Sequence, residues 1–400
     1  MTSFAAFDHR FVAPTYNRFN IEIASGKGSL ITDVDGREYI DLGTGIAVNG
    51  FGIADDEWIA AVTAQLGQVQ HTSNLYYSEP CALLAGQLCT RTGMDKVFFG
   101  NSGAEANECA IKVARKWAAE RHGPACSTIV TLAGSFHGRT LTTLAATGQE
   151  HYHELFQPLT PGFVSLAPGD LRGARELFAS GTVAGILIEC IQGEGGVVPL
   201  DPDFATDLQA LAKEYDVLLM VDEVQTGNGR TGALYAYMRY GLNPDVVSTA
   251  KGLAGGLPLG ATLLADRVQD VLSFGDHGST FGGNPVCCAG ALSVLNRLTD
   301  DFLADVRAKG DELRRLLTGA PGILSVSGMG LMLGLETVRP APEVVSACME
   351  NGVLCLTAKD KVRLLPALNI PRDLLQKAAE VILIAARPSA ASACPVQAKG

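Results

Sequence analysis

The stretch Val217-Leu-Leu-Met-Val-Asp-Glu-Val-Gln-Thr-Gly227 decides the fold of this 400-residue chain. Its first five residues are all apolar, which indicates a strand covered on both faces, as in a parallel sheet flanked by helices. The apolar run ends at Asp222. Because open α/β sheets bind ligands beyond the carboxyl ends of such strands, Asp222 is expected at a binding site.

A second predicted strand end lies 29 residues later (251 − 222), where Lys251 follows the apolar pair Val246-Val247. Each polar residue alone is ordinary, since most lysines are solvated and most strand-end aspartates are caps. Together they are an amine that can form an imine and a carboxylate that can pair a pyridinium nitrogen. These are the two protein groups that pyridoxal phosphate most needs. The pair therefore predicts an enzyme.

Composition narrows the class of protein. The chain has 47% hydrophobic residues, 18% charged residues and a net charge of −11, which favour a large core and argue against nucleic-acid binding. Its length predicts two domains, or one large domain with a smaller partner. Neither a membrane-spanning stretch nor a signal peptide is evident, and the ten cysteines include no Cys-x-x-Cys pair of the metal-binding type. We therefore predict a cytoplasmic protein in a reducing compartment, with no membrane partner.

Short apolar runs alternate with helical stretches over about residues 50–285, which predicts a mostly parallel α/β domain. A hairpin with its turn at Asp35-Gly36 precedes this region, and one long helix is expected over about residues 286–316. Beyond it, two strands at Gly330–Leu335 and Val362–Leu365 indicate a second unit. The strands predicted for the α/β domain are Val97–Phe99, Thr128–Leu132, Gly185–Ile188, Val217–Val221, Asp245–Ser248 and Ala261–Leu264.

Two motifs after predicted strands offer groups for an anionic, flat ligand. Gly100–Glu108 opens a helix whose free N–H groups could bind a phosphate, although Ser102 as a simple helix cap explains this motif equally well by itself. In Ser135–Thr140, Phe136 could stack on a ring and Arg139 could clamp a carboxylate. A core phenylalanine and a solvated arginine are the ordinary alternative for that motif.

Two glycine-rich turns add further polar groups. Glu189–Gly196 places glutamates at a strand exit, and Gly278–Pro285 supplies two hydroxyl groups. The pair His151 and His153 has no evident third ligand, so no metal site is predicted.

The motifs together resemble the class III (subgroup II) aminotransferases, over a range from about Thr15 to the 380s. The resemblance implies a fold-type I enzyme with a large, mostly parallel seven-stranded sheet domain at residues 50–285. A smaller α+β domain would be built from both termini, residues 1–49 and 286–400. The motifs are Asn-Ser-Gly-Ala-Glu-Ala-Asn107, Phe-His-Gly-Arg-Thr140, Gln-Gly-Glu-Gly-Gly196, Asp-Glu-Val-Gln-Thr-Gly227, Ala-Lys-Gly252 and Gly-Ser-Thr-Phe-Gly-Gly-Asn-Pro285.

The resemblance also implies a role for each site residue. Lys251 would form the imine with pyridoxal phosphate, and Asp222 would pair the pyridine nitrogen. Cofactor contacts would come from Ser102, Gly103 and Ala104 at the phosphate, Phe136 and Val224 on the two ring faces, Gln225 at the phenolic oxygen and Thr280 at the neighbouring subunit's phosphate. Substrate contacts would come from Arg139, Ser279, Tyr16 and a switchable Glu194–Arg363 pair.

The implied reaction is transfer of an amino group from an ω-amine to 2-oxoglutarate by a homodimer with shared active sites. N2-Acetylornithine is the expected donor, with ornithine, succinylornithine or 4-aminobutyrate as alternatives. An aminomutase or racemase would need no second carboxylate site, and a non-catalytic cofactor-binding module would not need Lys251. Two segments depart from the common family pattern, namely Gly52–Asp56 and Cys190. Both leave the contacts at the substrate entrance open.

Overall fold

A central seven-stranded sheet organises the computed structural model, which describes residues 4–388. All strands run parallel except Gly260–Leu264, which is antiparallel to both of its neighbours. The mostly parallel seven-stranded sheet expected from the sequence is thus confirmed. In spatial order the strands are Lys96–Gly100, Gly260–Leu264, Val246–Thr249, Leu218–Asp222, Val183–Ile188, Thr128–Leu132 and Phe163–Leu166.

The register of the sheet places the two decisive residues close together. Asp222 is opposite Ser248 on the neighbouring parallel strand, and that strand ends at Thr249, two residues before Lys251. The strands on either side of Asp222 are fully buried along their whole length. The edge strand Phe163–Leu166 was not predicted from the sequence, because only four residues form it and one of them is exposed.

Helices cover both faces of the sheet, and the longest, Gly103–His122, presents a buried stripe that includes Cys109, Val113 and Trp117. Two 3-10 turns, Glu150–Tyr152 and Lys251–Ala254, lie near the sheet's carboxyl edge. The α-helices are Phe4–Phe11, Asp56–Leu66, Glu79–Thr92, Gly103–His122, Leu141–Ala146, Leu171–Ala179, Pro202–Glu214, Ala236–Arg239, Pro285–Arg297, Asp300–Leu317, Ala341–Glu350 and Arg372–Ala386.

The single long helix expected over about residues 286–316 is wrong, because two helices occupy this region, Pro285–Arg297 and Asp300–Leu317. The backbone leaves the helical region at Leu298, where ψ is 61°. Thr299 then begins the second helix as its N-cap, since its side chain accepts a hydrogen bond from the N–H of Phe302. A capping threonine between two apolar stretches is the signal that predicts this break.

A second unit combines segments from both ends of the chain. The strand Val353–Leu354 pairs in parallel with Glu38–Asp41, so the N-terminal sheet includes a C-terminal strand. We propose from this pairing that residues 1–49 and 286–400 form one small domain, of which residues 1–3 and 389–400 lie outside the described range. The strands are Ile23–Lys27, Leu30–Asp33, Glu38–Asp41 and Val353–Leu354 in one sheet, Ile323–Met329, Met332–Thr337, Lys361–Leu364 and Leu356–Ala358 in a second, and the pair Ile191–Gln192 and Val198–Pro199.

A left-handed turn, Thr44–Ala47, connects the N-terminal hairpin to the large domain. All four residues have positive φ, between 47° and 65°, and the carboxylate of Asp41 accepts the N–H of Thr44 at 2.9 Å. The turn packs beside the 3-10 turn of Lys251, because a Cβ placed on Gly252 would lie 3.3 Å from the carbonyl oxygen of Ala47. Within residues 4–388, no helix is long and apolar enough to cross a membrane.

Candidate active site

A cavity of about 240 Å³ lies at the carboxyl ends of the central strands. Parallel α/β sheets bind ligands at this edge. The residues that line the cavity come from five of the six sequence motifs, so the fold brings these five together, whereas none comes from Gly278–Pro285. The lining residues are Gly103, Ala104, Asn107, Phe136, His137, Gly138, Arg139, Glu189, Glu194, Asp222, Val224, Gln225 and Lys251.

Asp222 forms the floor of the cavity and is only 4% exposed. Its Oδ2 accepts hydrogen bonds from Asn107 Nδ2 at 2.7 Å and His137 Nδ1 at 2.8 Å. Its Oδ1 accepts the N–H of Val224 at 2.9 Å. Three donors fix the orientation of the carboxylate, which suits pairing with a protonated ring nitrogen.

Asn107 and His137 were given no role by the sequence, although both belong to quoted motifs. Asn107 is oriented by Ser248, whose hydroxyl donates to Asn107 Oδ1 at 2.5 Å, and it also donates to the carbonyl of His137. Asn107 lies four residues after Gly103, one helical turn on, and therefore faces the same cavity. That spacing is the signal by which it could have been found.

Lys251 begins the 3-10 turn Lys251–Ala254 with a φ of 46°, a left-handed conformation that is uncommon for a residue with a side chain. Burial lowers the pKa of its amine below the ordinary 10.5, and the nearby carboxylate of Glu194 acts in the opposite direction. A lower pKa increases the neutral fraction of the amine near neutral pH. The neutral amine is the form that attacks a carbonyl carbon.

The phosphate side of the cavity is the N-terminus of the helix Gly103–His122. Ser102 caps this helix by accepting the N–H of Glu105 at 3.2 Å. Among residues 4–388, the N–H groups of Gly103 and Ala104 have no hydrogen-bond acceptor, and both residues line the cavity. A Cβ on Gly103 would lie 2.6 Å from Val224 Cγ1, so only glycine allows this close approach. The N–H groups and the helix dipole suit a phosphate.

Phe136 and Val224, the two residues expected on the faces of a ring, both line the cavity. Phe136 is fixed by its own N–H, which donates to Glu189 Oε2 at 3.0 Å. Glu189 also accepts the N–H of Gly193 at 3.3 Å, and burial raises the pKa of its carboxyl to about 7. Glu189 was noted in the sequence only as part of its motif, because burial of this kind is visible only in the folded chain.

Arg363 closes another side of the site and is 3% exposed. Its Nη1 donates to Glu194 Oε1 at 2.5 Å and to Gln225 Oε1 at 3.1 Å, and Gln225 Nε2 donates to the same Glu194 oxygen. Burial alone would raise the pKa of Glu194, but the guanidinium of Arg363 outweighs burial and lowers it. Glu194 is therefore ionised at neutral pH and neutralises Arg363.

Arg139 lies at the open side of the cavity and is exposed. Its guanidinium carbon lies 5.9 Å from the ring centroid of Phe136 and 5.1 Å from that of Tyr152. Distances within about 6 Å of a ring centroid are in the range of cation–π attraction.

Five residues expected at the site do not line the cavity in the single chain, and one of them, Arg363, reaches it only through its bonds to Glu194 and Gln225. Ser102 lies behind it as a cap, and Ser279 accepts a hydrogen bond from Asn101 Nδ2 at 3.0 Å. Thr280 is exposed. Tyr16 is 70% exposed and lines a different cavity of about 500 Å³.

Most of the chain matches one known family. Residues 11–385 match the family described as Aminotransferase class-III.

The chain belongs to the class III aminotransferases.

Three relatives extend this result. The acetylornithine aminotransferase of Haemophilus ducreyi is 49% identical over 94% of this chain and 96% of its own length. An N-acetylornithine aminotransferase structure from Stenotrophomonas maltophilia superposes with a TM-score of 0.82 at 34% identity, covering 95% of this chain and 97% of that one. An ornithine aminotransferase structure from Toxoplasma gondii, with pyridoxal phosphate at partial occupancy in its active site, has a TM-score of 0.91 at 32% identity, covering 96% and 93%.

Class III aminotransferases depend on pyridoxal phosphate, and the residues present fit this cofactor. The N–H groups of Gly103 and Ala104, which have no acceptor among the described residues, suit its phosphate. The carboxylate of Asp222, which accepts three hydrogen bonds, suits a pyridinium nitrogen. The buried amine of Lys251 suits its aldehyde. Each feature serves a different part of the same small molecule, and all three open onto one cavity.

Proposed function

We propose that this aminotransferase moves the δ-amino group of N2-acetylornithine to 2-oxoglutarate. The products would be N-acetylglutamate 5-semialdehyde and glutamate, in arginine biosynthesis. The observation on which this proposal rests is the Arg363–Glu194 ion pair, 2.5 Å between Nη1 and Oε1, together with Arg139, which lines the same cavity as Glu194 and has no carboxylate partner among residues 4–388. Two arginines of this kind serve one substrate with a single carboxylate and a second substrate with two. Identity to named acetylornithine aminotransferases supports the choice of donor.

Lys251 and Asp222 would perform the chemical steps. When bound, pyridoxal phosphate accepts the electrons released at the donor carbon. Lys251 Nζ, whose pKa burial lowers, would accept the proton from the donor's δ-carbon and donate it again when the amino group is transferred. Asp222, held by Asn107 and His137, would keep a proton on the pyridine nitrogen through its negative charge.

Arg139 and Arg363 would bind the carboxylates of the two substrates in successive half-reactions. Arg139 would bind the α-carboxylate of acetylornithine, which lies far from the reacting δ-carbon, and Ser279 and Tyr16 would lie near the donor. In the second half-reaction the α-carboxylate of 2-oxoglutarate, next to its reacting carbon, would replace Glu194 at Arg363, and the distal carboxylate would bind Arg139. Exchange of one carboxylate for another leaves the buried guanidinium paired throughout, which avoids the several kcal/mol of an isolated buried charge.

The cofactor would be held by Ser102, Gly103 and Ala104 at its phosphate, Phe136 and Val224 on its faces and Gln225 at its phenolic oxygen. Thr280 would reach the phosphate in a partner subunit, so the active protein would be a homodimer. The residues around Thr280 support this assignment. Asn74 Nδ2 donates to the carbonyl of Ser279 at 3.0 Å, and the adjoining apolar residues Leu75, Tyr76 and Tyr77 are 87%, 71% and 106% exposed. An exposed apolar group of this size is typical of a contact surface.

Sedimentation of the holoenzyme tests the dimer. Thr280→Ala is expected to weaken cofactor retention and to lower the thermal midpoint of the holoenzyme, because a ligand bound only by the dimer stabilises the dimer. A stable monomer with full cofactor occupancy and normal turnover contradicts the assignment. The cytoplasm is the proposed location of this dimer.

Side-by-side values of kcat/KM for acetylornithine, succinylornithine, ornithine and 4-aminobutyrate test the proposed donor. Acetylornithine is expected to give the highest value with 2-oxoglutarate as acceptor. A higher value for ornithine or 4-aminobutyrate would assign the protein to another ω-amine. Amino-group migration or racemisation without a second substrate would overturn transamination itself.

A further inference from the structure

The guanidinium of Arg139 lies against two aromatic rings. Within the described residues it donates no hydrogen bond. The centroid of Tyr152 is the nearer of the two rings, 5.1 Å from the guanidinium carbon, against 5.9 Å for Phe136. Cation–π attraction acts on the positive charge of the guanidinium and needs none of its N–H donors. The two-pronged set of donors that recognises a carboxylate therefore stays free.

Tyr152 does not line the cavity, but it contacts two residues that do, Phe136 and Arg139. Its ring meets the ring of Phe136 edge to face, with centroids 5.6 Å apart and planes at 65°. It is half-buried and belongs to the 3-10 turn Glu150–Tyr152. A single aromatic ring thus contacts both the proposed ring-stacking residue and the proposed carboxylate-binding arginine.

Side chains on both sides of Tyr152 fasten this turn to the segment that contains Arg139. On one side Gln149 Nε2 donates to the carbonyl of Ser135 at 3.2 Å. On the other side His153 Nε2 donates to the carbonyl of Leu144 at 2.9 Å. Residues 135 and 144 bracket Arg139 in sequence, so the turn and the arginine form one local structure. The position of the Tyr152 ring is therefore fixed relative to Arg139.

We propose that Tyr152 is a positioning residue, which holds the guanidinium of Arg139 in the orientation that receives the substrate's α-carboxylate. The inference rests on the proposed function only in that Arg139 receives this carboxylate. Without the ring, an exposed arginine samples many rotamers, and fixing it on binding lowers affinity. Loss of the ring should therefore weaken carboxylate binding and leave the proton-transfer step at Lys251 largely unchanged.

A double-mutant cycle on the holoenzyme tests this inference. The probe is N-acetylnorvaline, which has the acetyl group and α-carboxylate of the donor but no δ-amine, and its Kd is measured by calorimetric titration. Tyr152→Leu is expected to raise Kd about tenfold, which corresponds to about 1.4 kcal/mol, whereas Tyr152→Phe keeps the ring and stays within about twofold. In an Arg139→Ala background, Tyr152→Leu should add almost nothing, because the partner is already absent.

Phe156→Leu is the matched control, since Phe156 is an exposed aromatic residue nearby that has no ring contact with Arg139. It should leave Kd unchanged. In steady state, Tyr152→Leu should raise KM for the carboxylated donor about tenfold while kcat changes by less than about threefold. A purely structural role would instead lower the thermal midpoint and weaken binding equally with or without Arg139.

The outcomes separate this inference from the proposed donor. If Arg139→Ala weakens binding and Tyr152→Leu does not, or if the two effects add, the positioning role is overturned. If Arg139→Ala has no effect on Kd, Arg139 does not hold the carboxylate and the inference falls with that assignment. A wild-type enzyme that prefers ornithine over acetylornithine overturns only the proposed donor, since the thermodynamic cycle does not depend on turnover.

Discussion

The two arginines of the active site differ in every physical respect that governs a charge. Arg139 is exposed, lies against two aromatic rings and has no carboxylate partner among residues 4–388. Arg363 is 3% exposed and bonds both Glu194 and Gln225. An exposed guanidinium needs no counter-ion, whereas a buried one does. The difference explains how one site can offer one carboxylate subsite permanently and a second only by exchange.

The largest expected effect is the loss of turnover when Lys251 is replaced, because substrates bound at Arg139 and at Arg363 would both react at its amine. If both arginines bind their substrates next to the same Lys251, Lys251→Ala should lower turnover of donor and acceptor alike, by at least about 10⁴-fold. Single-turnover measurements of each half-reaction provide the test, with Lys377→Ala, at an exposed helix position, as the control lysine. Loss of only one half-reaction would mean that the two arginines serve different chemical groups.

Arg363 should matter more to 2-oxoglutarate than Arg139 matters to any single substrate. Arg363→Ala removes a buried charge and leaves Glu194 without its ion-pair partner, so kcat/KM for 2-oxoglutarate should fall about a hundredfold or more. Arg139→Ala, at an exposed position, should lower kcat/KM for either substrate about tenfold. Equal losses in the two variants would contradict the contrast between the buried and the exposed subsite.

Glu194→Ala should change preference rather than rate. The variant leaves the guanidinium of Arg363 without its ion-pair partner in the donor pocket, where it attracts the α-carboxylate of amino acids such as glutamate. The ratio of kcat/KM for glutamate to that for acetylornithine is therefore expected to rise about tenfold. Glu194→Gln, which keeps the shape and loses the charge, should give the same direction. An unchanged ratio in both variants refutes the switch.

A third carboxyl at the site, Glu189, should show itself in the pH dependence of stability. Burial raises the pKa of Glu189 to about 7 from an ordinary 4.5, so the folded state binds more protons than the unfolded state in this window. Its contribution to stability is therefore lost as pH rises from about 5 to 7. In Glu189→Gln apoenzyme, the thermal midpoint should fall less over that window than in the wild type. A steeper fall in the variant would reverse the assigned direction.

Most of the sheet could be predicted because its signal is local. Apolar runs ending in Asp222 or leading to Lys251 indicate buried parallel strands, and six of the seven strands were placed within a few residues. Phe163–Leu166 was missed since a four-residue edge strand lacks a continuous buried pattern. The helix break at Leu298–Thr299 was missed because apolar residues continue on both sides of it.

The site residues also fall into those that the local sequence predicts and those that it does not. Residues in motifs that directly follow strands, such as Gly103 and Val224, were expected at the cavity and line it. Asn107 and His137 were missed, because their importance comes from hydrogen bonds to Asp222 between segments far apart in the sequence. Thr280 was expected at a phosphate of another subunit, a role that one chain by itself does not display.

Lys251 has a φ of 46°, and this conformation sets function against thermostability. A left-handed residue with a Cβ is strained by about 1–2 kcal/mol, whereas glycine in its place loses about 0.5–1 kcal/mol of chain entropy. Lys251→Gly apoenzyme should therefore unfold at a slightly higher temperature than the wild type, and a lower midpoint would contradict this balance. Selection for thermal tolerance alone would remove the lysine, so its presence records selection for catalysis.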